Sequence, residues 1–133
     1  MEDIKHFFSG SDQFAKHSGI ELLEVATGYA KVRMMIMDYH LNGVNIVHGG
    51  AIFTLADFAF AVASNSHGKI SVAINASISF MKATTAGVLI AEAKELSLNS
   101  KVGNYTVTIT DEDNNLIAVY QGTSYRKNDV LLK

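Results

Sequence analysis

The sequence contains no cysteine and no proline. The first absence excludes disulfides, a thiolate nucleophile and thiolate metal ligands. The second leaves every turn to Gly, Asn, Asp and Ser, so those residues mark where the chain reverses. An excess of charge is missing too. The 11 Lys and Arg against 13 Asp and Glu give a net charge of -2, with no basic run, which excludes nucleic acid as the main partner because phosphate binding needs a concentrated positive field. The longest apolar run, Ala51 to Ala63, is broken by Thr54 and Asp57 and falls short of the roughly 20 residues of a membrane helix. The amino terminus, MEDIKHFFSGSD, is acidic where a secretory signal is basic and then apolar. A cytoplasmic protein with no membrane partner is expected. The five histidines, His6, His17, His40, His48 and His67, fall at no recognised ligand spacing, so no metal is expected.

What is present is a chain of 133 residues, 48% of them hydrophobic, enough for one domain with a real core. Residues 1 to 18 read as two short helices, the second capped by Ser11 or Asp12 and stopped at Gly19. IELLEVATGYAKVRMMIM reads as two strands turning at Thr27-Gly28. The stretch from Gly50 to Ser64 is rich in Ala, Leu and Phe, apolar on every face of the helical wheel, and predicts a helix buried all round. After Lys69 the period changes to two: in SVAINASISFM, Val72, Ile74, Ala76, Ile78 and Phe80 form one face, and Ala73, Asn75, Ser77 and Ser79 the other. VLIAEAKELSL, GNYTVTITD and LIAVYQGTSYR read as three more strands, the last two joined by a turn at Asp113-Asn114-Asn115. The tail NDVLLK reads as frayed. One long helix for six strands with short links means an α+β layout, an antiparallel sheet wrapped around a single helix. Self-association is expected to bury the rest of the sheet.

Asp57 is the first candidate for chemistry. Burying an unpaired carboxylate is costly, and its helical neighbours Phe53, Thr54, Phe60 and Ala61 offer no cation. Either it works in a site, or it lines a subunit seam. His48-Gly49-Gly50 is the second, since the first turn of a helix has free N–H groups and the positive end of the macrodipole, suited to a polarised carbonyl; a plain turn is the other reading. Asn42 sits in the turn-former LNGVN, His48 reads as a helix-start residue or a general base, and Asn75 lines the polar side of its strand.

The segment NGVNIVHGGAIFTLADFAFAVASNS resembles the hot-dog-fold acyl-CoA thioesterases of the phenylacetate-pathway, or PaaI-like, type. Their pattern is an Asn, a His-Gly-Gly six residues on, and an Asp nine residues after the His in a LADxAxAxAxNS helix. Asn42, His48-Gly49-Gly50 and Asp57 stand at those positions. SVAINASISFMKA is similar to the family's strand ending in Phe-Leu-Arg-Pro, and the resemblance spans about residues 18–126 of a single domain, 1–133.

The resemblance implies a hot-dog fold, dimers paired through their sheets and assembled further into tetramers, and hydrolysis of an acyl-CoA with no cofactor beyond the CoA of the substrate. Carried over by position, Asp57 is the nucleophile or the general base for water. The Gly50 N–H polarises the thioester carbonyl, Asn42 orients water or substrate, and His48 supports the Gly-Gly turn or contacts the thioester. Gly49, Asn75, Lys82 and Lys101 are expected to contact substrate, the two lysines through CoA. Two positions depart from the pattern: Lys82-Ala83 replaces Arg-Pro, and Ala73 stands where some relatives have a hydroxyl, leaving Ser71 or Asn75 as substitutes. A non-catalytic acyl-CoA-binding module is an alternative. A hydratase or dehydratase is another, although its usual Asn-Pro-x-His pattern is excluded by the lack of proline.

Overall fold

The computed structural model of the protein describes residues 1–132. Two short helices, α1 (Glu2–Ser11) and α2 (Gln13–His17), precede strands β1 (Ile20–Ala26) and β2 (Tyr29–Met35). A 3-10 turn at Asp38–His40 leads to the long helix α3 (Gly49–Asn65), followed by β3 (Lys69–Phe80), β4 (Val88–Leu98), β5 (Val102–Thr110) and β6 (Leu116–Val130). The six strands form one sheet in the order β1-β2-β4-β5-β6-β3, every neighbouring pair antiparallel. The sheet curves around α3, and the hot-dog fold expected from the sequence is the one observed.

Alternation along the strands makes the sheet two-faced. In β5, Gly103, Tyr105, Val107 and Ile109 are buried toward the helix, while Asn104, Thr106, Thr108 and Thr110 stay partly exposed on the outer face. Opposite them, Leu55, Ala56, Ala59, Val62 and Ala63 of α3 are wholly buried. Each fully buried Val, Leu or Ile contributes about 1.5–3 kcal/mol relative to exposure, so the α3–sheet interface carries the fold. α1 and α2 pack against β1. No element of the same chain, among the described residues, pairs with the outer side of β3.

Four details depart from the sequence-based expectations. α3 begins at Gly49, with His48 as its N-cap. It is not covered all round: Gly50, Ala51, Phe53, Thr54, Asp57 and Ala61 keep some exposure, and their spacing draws a stripe along one side of the helix. The sheet wraps the rest and leaves that stripe open. A bulge between Ala73 and Asn75 inserts Ile74 as an extra residue, so Val72 lies opposite exposed Tyr125 on the outer face, and Ala76, Ile78 and Phe80 fall opposite Gly122, Tyr120 and Ala118. A simple period of two does not survive the bulge. Finally, Asn128, Asp129 and Val130 are not frayed but continue β6, Val130 pairing with Lys69.

Gly122 of β6 is required by close approach. A Cβ there would lie 2.8–2.9 Å from three atoms of the Phe60 ring, which is itself flanked by Tyr105 and Tyr120. Gly122→Ala therefore forces the ring off its seat and costs about 1–3 kcal/mol. The expected readout is a melting temperature lower by about 3–12 °C in calorimetry; an unchanged value would mean that Phe60 has room to move.

Candidate active site

The chain enters α3 through a loop whose polar groups are nearly all committed. The Asn42 side-chain oxygen accepts from Val44 N (2.9 Å) and Ile46 N (3.3 Å), and Asn45 takes the left-handed conformation at φ 63°. Leu41 and Val47 close the loop as a bridge. Behind it lies His40, buried, whose Nδ1 accepts from Met37 N. Its Nε2 must then carry the proton, and it donates to Ser18 O at 2.7 Å. His40 O in turn accepts from His48 N at 2.7 Å, so one histidine ties the end of α2 to the start of α3.

His48 caps the helix with its own ring: Gly50 N–H donates to Nδ1 at 2.8 Å. This capping settles the ring as the Nε2-protonated tautomer. It also means that the amide expected to meet a carbonyl already has a partner. His48 is exposed, so rotation of its ring about χ1 would free that N–H. Gly49 is kept small by Phe80, whose ring atom would lie 3.1 Å from a Cβ there. One turn on, Thr54 Oγ1 donates to Gly50 O.

Asp57 lies in the middle of the open stripe. Its Oδ1 accepts from the Tyr120 hydroxyl at 2.6 Å, the only side-chain partner it has among the described residues. Among the described residues no ion pair neutralises it. Tyr120 is fully buried, and burial, then the hydrogen bond and charge of Asp57, push its phenol well above the ordinary tyrosine range. It therefore remains a donor at any working pH.

Two cavities run along the stripe, and a third lies beside the start of α3. One of about 760 Å³ lies over the start of α3, lined by Phe14, Tyr39, His48, Gly50 and Thr54 among others. A smaller one of about 160 Å³ holds Asp57 beside Asp12, Phe14 and Thr54. Phe14 and Thr54 border both, so the spaces adjoin beneath α2. The third, about 290 Å³, gathers Asn42, Gly49, Phe80 and Lys82. The fold thus brings Asn42, His48, Gly49, Gly50 and Lys82 around the helix start, with Asp57 seven residues and about 10 Å farther along the axis.

Asn75 and Lys101 lie elsewhere in a single chain. Asn75 is exposed opposite Thr123 on the outer side of β3. Lys101 sits in the β4–β5 turn with Nζ 6.0 Å from the Tyr125 ring centroid, at the opposite end of β6 from Ile117, whose carbonyl accepts from Lys82 N. Tyr120 and His40 escaped the sequence reading. Alternation along β6 places Tyr120 on the helix face, but nothing in the sequence pairs it with a residue 63 positions away. Among the described residues no three His, Asp or Glu side chains gather as metal ligands would, and no helix is long and apolar enough to cross a membrane.

Comparison with known proteins agrees with this geometry. The family model of the thioesterase superfamily matches residues 44–118, the segment from the α3 entry loop into β6. The chain is 45% identical over 130 residues to an Archaeoglobus fulgidus protein, covering 97% of this chain and 84% of that one. It is 35% identical over 122 residues to the acyl-coenzyme A thioesterase PaaI of Escherichia coli, covering 91% and 87%. The structure of E. coli PaaI superposes with a TM-score of 0.93 at 33% identity, over 97% of this chain and 94% of that one. A mutant of the phenylacetic acid degradation protein PaaI from Thermus thermophilus gives 0.84 at 33% identity, over 87% and 100%. With the Asn, His-Gly-Gly and Asp pattern standing on the expected loop and helix, the chain belongs to the thioesterase superfamily as a thioester hydrolase of the PaaI-like hot-dog type.

Proposed function

We propose that the protein is a cytoplasmic acyl-CoA thioesterase in which Asp57 carries the chemistry, with no cofactor beyond the CoA of the substrate. The observation that supports this most is the carboxylate itself: paired with no cation among the described residues, held by one hydroxyl, and opening onto a cavity that adjoins the helix start. Its free Oδ2 either attacks the thioester carbonyl carbon or takes the proton of a water that does. When Oδ2 attacks, the C–S bond breaks as an Asp57–acyl anhydride forms, and water then hydrolyses the anhydride; when water attacks directly, the C–S bond breaks in the same way. In both routes the CoA sulfur leaves as thiolate, is protonated, and the free acid is released. Negative charge develops on the carbonyl oxygen, where the Gly50 N–H and the positive end of α3 favour it.

The separation along one helix supports a site shared between copies. Gly50 and Asp57 of the same chain lie about 10 Å apart, more than a carbonyl carbon and its oxygen span. A homodimer joined through β3 supplies a Gly50 from one copy and an Asp57 from the other at each of two equivalent sites, and the tetramers implied by the family resemblance double that number. In such an assembly Asn42 and Lys82 border the CoA arm, and Asn75 and Lys101, remote within one chain, reach substrate from the neighbouring copy.

Phe14 and Tyr39 favour an apolar acyl group, and an arylacetyl, short-chain or medium-chain group meets that requirement. The test is thiol release from a panel of phenylacetyl-, acetyl-, butyryl-, hexanoyl- and octanoyl-CoA, read with a thiol-specific disulfide reagent. Saturable release from at least one member is expected. No release above the uncatalysed rate from any of them would overturn the reading.

A further inference from the structure

Asp57 has two carboxylate oxygens and one fixed partner. Oδ1 accepts from the Tyr120 hydroxyl at 2.6 Å, the short length of a charge-assisted O–H···O⁻ bond. Nothing else among the described residues holds the carboxylate, which left alone would rotate about χ2, a broad and nearly two-fold torsion. Tyr120 itself cannot move. It is fully buried on β6, paired opposite Ile78 and Val107 in the ladder, with the rings of Phe53 at 5.3 Å and Phe60 at 5.7 Å against it. A rigid donor from the sheet thus reaches across to a flexible acceptor on the helix.

We infer that Tyr120 is a positioning residue of the hydrolase: its hydroxyl locks Asp57 Oδ1 so that Oδ2 alone faces the thioester or the attacking water. This rests on the reading of Asp57 given above and adds to it the group that orients the reacting oxygen. Tyr120 touches no substrate. Its phenol, held in the protonated form by burial and by Asp57, gives up no proton in the reaction. Aromatic packing then has a catalytic consequence, because Phe53, Phe60 and Gly122 set where the phenol stands.

The experiment compares wild type, Tyr120→Phe, Asp57→Asn and the double variant with an acyl-CoA that wild type hydrolyses. Tyr120→Phe keeps the ring and removes only the hydroxyl. The expected result is kcat lower by on the order of 10- to 100-fold, the loss typical of a misplaced reacting group, with KM changed less than about twofold. In the Asp57→Asn background, Tyr120→Phe should cause no further loss, since residues acting as one unit are not additive. Unchanged kcat in Tyr120→Phe, or an equal further loss in the double variant, would overturn the role. Proton NMR supplies a second arm that does not need the Phe variant to fold: wild type should show a strongly downfield, slowly exchanging hydroxyl proton that disappears in Asp57→Ala, which removes the acceptor. Its persistence in that variant would equally overturn the assignment. Failure of wild type to release CoA from any substrate is a different outcome; it removes the thioesterase reading, and the role of Tyr120 falls with it.

Discussion

Asp57→Asn lowers acyl-CoA hydrolysis by on the order of a thousandfold or more while the fold and assembly persist. The size follows from chemistry: an amide can neither attack the carbonyl nor take a proton from water, and the loss of a general base alone costs about 10²- to 10⁴-fold. Persistence follows from geometry. Asn keeps an oxygen acceptor where Asp57 Oδ1 receives the Tyr120 hydroxyl, so the buried phenol stays satisfied. Asp57→Ala behaves differently. It removes the acceptor as well, strands a buried hydroxyl and costs about 1–3 kcal/mol of stability in addition to the activity. The check is kcat with thermal melting for both variants, and near-wild-type turnover in Asp57→Asn would remove this residue from the mechanism. A single turnover in oxygen-18 water then tests the nucleophilic route, because label in the Asp57 carboxylate requires an acyl–Asp57 anhydride opened by water at the Asp57 carbonyl.

The sequence disclosed the helix and the strands through simple periodicities, and the reason is local. Ala, Leu and Phe without a breaker make α3; Tyr105, Val107 and Ile109 against three threonines make β5. The bulge at Ile74 was not legible, because an extra residue in an edge strand leaves each residue type acceptable on either face. Burial of α3 was overestimated for a related reason: a run of apolar side chains says that the helix is covered, not by which molecule. Of the site, the spacing of Asn42, His48, Gly50 and Asp57 gave the positions. What each polar group bonds did not follow from spacing. The Asn42 oxygen is spent on its own loop, the Gly50 amide on His48, and the Asp57 partner comes from the far strand β6. Those are tertiary facts, set by how the sheet closes on the helix.

Doubly substituting Val72→Lys and Ile74→Lys converts the assembly to monomers and abolishes most of the hydrolysis, by on the order of 100-fold or more for a site that loses one of its halves. β3 is the strand to attack. It is 12 residues long, roughly 40 Å, stands at the end of the sheet order, and exposes Ile74 at 58% and Phe80 at 53%. A long, apolar, uncovered edge is a template for pairing, whereas the shorter β1 at the other end packs against α1 and α2. Two copies joined at the same edge by a two-fold axis must set β3 antiparallel to its mate. That orientation also runs the two α3 helices in opposite directions, carrying the Gly50 end of one toward the later turns of the other. Lysines on a shared edge place like charges together and blunt the pairing. Sedimentation gives the mass, circular dichroism the fold, and thiol release the activity. Monomers that hydrolyse at the wild-type rate would show that one chain holds a complete site, and that substrate bridges Gly50 and Asp57 along a single helix.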